Sequence, residues 1–110
     1  MRHGTLVLLL ILGFAVQALA GKIYGSVTEN GKPIAKGVKI EVTCGTNSYP
    51  AETDEYGAFN LFAMAQGKCT LKVAYQGQMP SIEINSFERP TQYDLILEKN
   101  SGGQYSLKRK

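Results

Sequence analysis

GVKIEVTC, residues 37–44, alternates apolar and polar side chains without a break. Val38, Ile40, Val42 and Cys44 fall on one side, and Lys39, Glu41 and Thr43 on the other. Successive side chains of a β-strand point to opposite faces, so this is the pattern of a strand with one face buried. CTLKVAY, residues 69–75, repeats it: Cys69, Leu71, Val73 and Tyr75 alternate with Thr70, Lys72 and Ala74. Tyr93, Leu95 and Leu97 do the same further on, although Ile96 blurs the polar side. Ile23, Gly25 and Val27 suggest a first strand, Phe59 and Leu61 a short central one, and Ile82 and Ile84 another.

Between these runs stand turn signals. Asn30-Gly31 is the strongest short hairpin signal, because both residue types tolerate positive φ. TDEYGAF, residues 53–59, places Asp54 first and Gly57 fourth, the preference of a type I turn. Gly67, Gly77 and Pro90 punctuate the other connections. No stretch after Ala20 has the periodicity of an amphipathic helix of useful length. Six or seven short strands at this spacing predict an all-β sandwich or barrel, and a seven-stranded sandwich is the form we expect.

The first twenty residues have a different character. Arg2 precedes an apolar run from Leu6 to Val16, and the stretch closes on Ala18-Leu19-Ala20. That is the layout of a secretory signal peptide cut after Ala20. The apolar run is roughly half the length a bilayer-spanning helix needs, so no membrane span is expected in the mature chain. We therefore divide the sequence into a signal peptide, 1–20, a single β domain, 21–99, and a disordered basic tail, 100–110, ending in Lys108, Arg109 and Lys110. Without Arg2 there are eleven basic residues against nine acidic ones. A balance this close to neutral gives no reason to expect nucleic acid as a partner.

Cys44 and Cys69 are the only cysteines, and export would take both to an oxidising compartment, extracellular or periplasmic. Parity puts both sulfurs on core-facing sides of two different strands. We expect them to form a disulfide; two buried free thiols are the other arrangement these positions allow. Closing a loop of about 25 residues is worth roughly 3 to 4 kcal/mol in the chain-entropy model. A domain this small has little stability to spare.

Little in the mature sequence suggests catalysis. The single histidine, His3, lies in the signal segment, which leaves the domain without the commonest general base and metal ligand. Two cysteines without histidine do not make a structural zinc site, and we expect no metal and no cofactor. Glu52, Asp54 and Glu55 form the one acidic cluster, and Asp54 has a competing role in shaping the turn. Tyrosines remain as candidates for recognition. Tyr24 falls on the opposite parity to Ile23 and Val27, and Tyr56 sits in a turn; exposed rings of this kind stack on sugars.

The ordered motifs resemble the carboxypeptidase regulatory-like domain of the transthyretin-like, prealbumin-type sandwiches. The match runs through Gly25-Ser26-Val27, Gly31 to Val38, Thr53 to Phe59 and Gly67 to Val73, covering roughly residues 22 to 98. Val38 stands where the family usually has Ala, and Cys69 where it usually has Tyr. The resemblance implies an Ig-like β-sandwich in which Asp54 and Gly57 shape a hairpin and Phe59 packs inward. It also implies a non-catalytic module with a structural or protein-binding role. A partner would then be another extracellular or periplasmic protein, with a glycan bound by exposed tyrosines as the alternative. The superfamily's hydroxyisourate hydrolases depend on histidines and a C-terminal Tyr-Arg-Gly-Ser motif, whereas this chain ends GQYSLKRK. Lys22 and Asn100 stand in the order of an adhesin-type isopeptide, but the strand CTLKVAY lacks the acid that bond needs.

Overall fold

The computed structural model describes residues 21–64 and 66–110. The expected signal peptide, 1–20, lies outside the described residues. Among the described residues there are nine strands: β1 (Lys22–Glu29), β2 (Lys32–Pro33), β3 (Lys39–Cys44), β4 (Asn47–Glu52), β5 (Ala58–Phe62), β6 (Gly67–Val73), β7 (Ser81–Ser86), β8 (Thr91–Lys99) and β9 (Tyr105–Arg109).

They form two sheets. In the first, β1 runs parallel to β8 and antiparallel to β5 and β2, which share its other edge, and β9 closes the far side of β8. The second has the order β4-β3-β6-β7, antiparallel throughout. The sheets face each other as a β-sandwich. Its core is the inward set of each alternating strand: Ile23 and Val27 from β1, Ile40 and Val42 from β3, Leu71 and Val73 from β6, Leu95 and Leu97 from β8. Each such side chain contributes about 1.5 to 3 kcal/mol on burial, which is why the alternation determines register here.

Nine strands replace the seven expected, and the extra ones are those with the weakest apolar signal. β2 is two exposed residues after the Asn30-Gly31 turn, where φ is 55° and 78°. β4, NSYPAE, buries no residue fully and includes Pro50, because it is an outer strand. Proline is tolerated at such an edge, where a missing N–H breaks no ladder. The largest correction is at the C-terminus. Residues 100–110 are not a disordered tail: Tyr105–Arg109 pair with β8, and Leu107 is buried opposite Leu97.

Cys44 and Cys69 form a disulfide. Continuing the β3–β6 register places them directly opposite each other, with Cα atoms 4.4 Å apart. That is the spacing of a non-hydrogen-bonded antiparallel pair. The bridge therefore ties two neighbouring strands of one sheet at the end of their ladder, with both sulfurs in the core.

Candidate functional site

Asp54 comes first, because the acidic cluster depends on it. Its Oδ1 accepts hydrogen bonds from the backbone N–H of Tyr56 (2.8 Å) and of Ala58 (2.9 Å). Its own N–H donates to the Ala58 carbonyl, and Gly57 N–H donates to the Asp54 carbonyl. Gly57 turns the corner at φ 71°, and a Cβ there would meet the Val27 carbonyl oxygen at 2.8 Å. Glycine is thus required twice over, by conformation and by space. Phe59 then packs into the core. Glu52 and Glu55 are exposed, with Glu52 opposite Lys39 across the β3–β4 pair. Among the described residues, no group of three or more His, Cys, Asp or Glu is arranged to hold a metal ion.

Thr53, beside this turn, was not singled out from sequence. It is buried, and its Oγ1 donates to the Ala35 carbonyl (2.7 Å) while accepting from Val38 N–H (3.0 Å). It pins the loop between β2 and β3 to the β4–β5 turn.

Tyr24 occupies the outer face of the first sheet. Asn60 on β5 and Gln92 on β8 are its neighbours in register. One row on, Ser26 lies between Ala58 and Asp94. Asp94 accepts from Ser26 Oγ through one oxygen (3.0 Å) and from Gln92 Nε2 through the other (2.9 Å). The Lys22 ammonium stands 5.5 Å from the centre of the Tyr24 ring. A small polar cleft of about 210 Å³, lined by Gln92, Asp94, Arg109 and Lys110, adjoins it. The result is an aromatic ring with the Lys22 ammonium over it and, beside it, a Ser26–Asp94–Gln92 chain of hydrogen bonds. The sequence signal for it is the off-parity Tyr24 and Ser26 on a strand whose Ile23 and Val27 point inward.

Tyr56 belongs elsewhere. It is 69% exposed in the β4–β5 turn, separated from Tyr24 by the Ser26–Ala58 pair. Tyr93 is buried in the core, and its hydroxyl bonds both backbone groups of Asn85. Tyr75 is half-buried and donates to Glu29 Oε1 (2.9 Å), with its ring edge-on to Tyr105 at 5.1 Å. The hydrogen bond to Glu29, then burial, raises the Tyr75 hydroxyl above the ordinary tyrosine range. Asn100, the isopeptide candidate, instead shapes the turn between β8 and β9 through its Oδ1.

A second concavity, about 580 Å³, is lined by residues of β3 and β4, by Lys72 of β6 and by Ala74 and Met79 beyond it. Pro50, Ala51, Ala74 and Met79 are its apolar lining residues, and Lys39, Glu41, Glu52 and Lys72 its charged ones.

No family model matches the sequence, and no curated protein matches it either. Solved structures do. A 5-hydroxyisourate hydrolase from Klebsiella pneumoniae superposes with a TM-score of 0.58 at 15% identity, over 82% of this chain and 98% of that one. The likeness is consistent with a transthyretin-like fold. The Bacillus anthracis TIE protein gives a TM-score of 0.58 at 17% identity, over 70% of this chain and 16% of that chain. A DUF3823 family protein from Bacteroides ovatus gives 0.53 at 11% identity, over 82% and 57%. This chain thus spans a minor part of the TIE protein and little more than half of the DUF3823 protein. At these identities the likeness is one of fold.

Proposed function

We propose that the chain is a non-catalytic, exported binding module of the carboxypeptidase regulatory-like kind, with a structural or protein-binding role. The observation that carries this reading is the use made of Asp54. Its carboxylate is engaged by two backbone N–H groups of its own turn, so Asp54 serves the fold. The apolar run of Leu6 to Val16 and the core disulfide both suit an oxidising compartment outside the cytoplasm. The test has two arms. The exported chain is assayed against model esters, amides and glycosides, and it is photo-crosslinked in its own compartment from a probe at Lys39. No turnover together with one defined protein partner supports the proposal. Turnover lost in Glu52→Gln or Glu55→Gln, at unchanged melting temperature, overturns it.

A second reading has its own observation. Tyr24, bordered by Asn60, Gln92 and Asp94, suits a saccharide: the ring face takes the apolar side of a pyranose, and the polar groups take its hydroxyls. Tyr56 is too separate to share that ligand. On a glycan array, Tyr24→Ala is expected to abolish binding and Tyr56→Ala to spare it. No saccharide binding, or binding indifferent to Tyr24→Ala, removes this reading.

A further inference from the structure

Five strands stand at sheet edges: β2 and β5 beside β1, β9 beyond β8, and β4 and β7 on the other sheet. A free strand edge is a template for another chain, and charge, proline or a covering group blunts it. Four of the five carry such residues. β2 is Lys32-Pro33, β4 has Pro50 and Glu52, β7 has Glu83, and β9 has Lys108 and Arg109. The Tyr93 hydroxyl also bonds both backbone groups of Asn85 on β7, and Gln78 bonds the Gly103 carbonyl and the Tyr105 N–H at β9. β5 reads AFNLF and has neither charge nor proline.

The hydrogen-bond phase of β5 shows which of its groups are open. Val27 N–H donates to the Gly57 carbonyl and Ala63 N–H to the Gly21 carbonyl, at 2.9 Å each, and both pairs continue the β1–β5 register. Along an antiparallel strand, residues that bond the neighbour alternate with residues that face away. Phe59 and Leu61 therefore bond β1, whereas Ala58, Asn60 and Phe62 direct their N–H and C=O outward. Asp54 takes both groups of Ala58: the Ala58 N–H donates to its Oδ1, and the Ala58 carbonyl accepts from its N–H, at 2.9 Å each. Among the described residues, nothing bonds the outward N–H and C=O of Asn60 and Phe62.

We propose that this edge of β5 takes an extended segment of another protein as an added strand, bonded through the N–H and C=O of Asn60 and Phe62. The inference rests on the protein-binding reading above and gives that role a place in the fold. Two donors and two acceptors in a row along one edge are what an extended backbone satisfies together. Side chains of the added strand alternate. One set lies on the side of the buried Phe59 and Leu61 and is apolar; the other lies beside the exposed Asn60 and Phe62. A second copy of this chain fits less well. Asp54 stands beside Ala58, in the lane the added strand would follow. Antiparallel pairing of two β5 strands through Asn60 and Phe62 would carry the second copy's chain beyond Phe62 into that place, whereas a segment that ends opposite Asn60 avoids it.

Amide exchange of the exported chain tests the proposal. The probe is an acetylated pentapeptide of alternating threonine and valine, and the control is the same peptide methylated at every backbone nitrogen. Expected is exchange at Asn60 and Phe62 slowed about tenfold or more at saturating probe, with no change from the control. Phe62→Lys places a charge on the edge and should abolish the protection of Asn60. Asn60→Pro removes one of the two donors and should abolish the protection of Phe62. Both side chains are exposed, and the melting temperature of each variant is measured alongside. No protection at either amide, equal protection by the methylated peptide, or protection that survives Phe62→Lys overturns the proposal. So does a parent chain that sediments as a dimer while Phe62→Lys is monomeric, since the occupant is then a second copy. The crosslink from Lys39 reports on the concavity lined by β3 and β4, so either experiment can fail without the other.

Discussion

Asp54 and Asn100 close two different hairpins with the same four hydrogen bonds. In each, the side-chain Oδ1 accepts from the N–H two and four residues on: Tyr56 and Ala58 for Asp54, Gly102 and Gln104 for Asn100. The residue's own N–H donates to the carbonyl four residues on, and the N–H of the glycine three residues on donates back to its carbonyl. Those glycines, Gly57 and Gly103, have φ of 71° and 84°. Asx side chains stand in for a backbone acceptor in this way, and the geometry accepts either carboxylate or amide.

This equivalence predicts how the two residues respond to change. Asp54→Asn and Asn100→Asp keep the acceptor and should each cost little. Asp54→Ala and Asn100→Ala remove two hydrogen bonds each and should destabilise by about 1 to 2 kcal/mol, read from urea midpoints. In Asn100→Ala the loss should also show as faster amide exchange in β9, because that hairpin holds the strand. Equal stability of the Ala and Asx variants would mean the shared geometry carries no energy.

The disulfide gives a second expectation. Cys44→Ala with Cys69→Ala removes both sulfurs, so neither is left as a lone buried thiol. Stability should fall by roughly 3 to 4 kcal/mol on the chain-entropy account. Reductant should then move the urea midpoint of the parent and leave that of the variant unchanged. A parent indifferent to reductant would mean that the bridge adds little beyond what the β3–β6 ladder already holds.

How much of this was legible beforehand depended on which face a residue served. Val38 to Cys44 and Cys69 to Val73 announced their strands because one side of each is in the core. β4 did not, because an outer strand with pattern NSYPAE has no continuous apolar side to show. The C-terminal segment was misread through its composition: glycine, serine and lysine outweighed Tyr105 and Leu107, two residues apart on one side. Asn100-x-x-Gly103 repeats the spacing of Asp54-x-x-Gly57, and that signal was available. Thr53 was hidden for a different reason, since a threonine buried by two backbone hydrogen bonds has the same letter as one in solvent. The Tyr24 surroundings needed register, which pairs Asn60 and Gln92 with it from distant parts of the chain.

Tyr75 predicts a pH dependence with a definite sign. Its hydroxyl is neutral when it donates to Glu29, and that bond, with burial, raises its pKa in the folded state. A raised folded pKa means the contribution is fully present below the unfolded value, about 10, and is lost as pH rises through the folded value. The parent should therefore exceed Tyr75→Phe in stability near neutrality, by about 0.5 to 1.5 kcal/mol. The difference should shrink in strongly alkaline solution, where the phenolate faces the Glu29 carboxylate. Urea titrations of both proteins on either side of about pH 10 check this. A difference constant across that range would detach the hydroxyl from Glu29.

Tyr93 makes the strongest link between fold and association. It projects from β8 in one sheet to β7, an outer strand of the other, and its hydroxyl both donates to the Asn85 carbonyl and accepts from Asn85 N–H, at 2.9 Å each. An outer strand with unpaired backbone groups is a template for another chain; here one phenol occupies the two groups at Asn85. The Arg109 guanidinium lies 4.7 Å from the ring centre and covers it from β9. Gln78 acts similarly at the edge of β9, donating to the Gly103 carbonyl and accepting from Tyr105 N–H. Tyr93→Phe keeps the buried ring but frees Asn85. It should lose about 1 to 2 kcal/mol and gain a concentration-dependent self-association visible by sedimentation velocity. Adding Asn85→Pro, which removes the N–H at the same edge, should reverse the association without restoring the stability. If Tyr93→Phe is less stable yet does not associate at any concentration, the hydroxyl joins the two sheets and has no part in keeping copies of the chain apart.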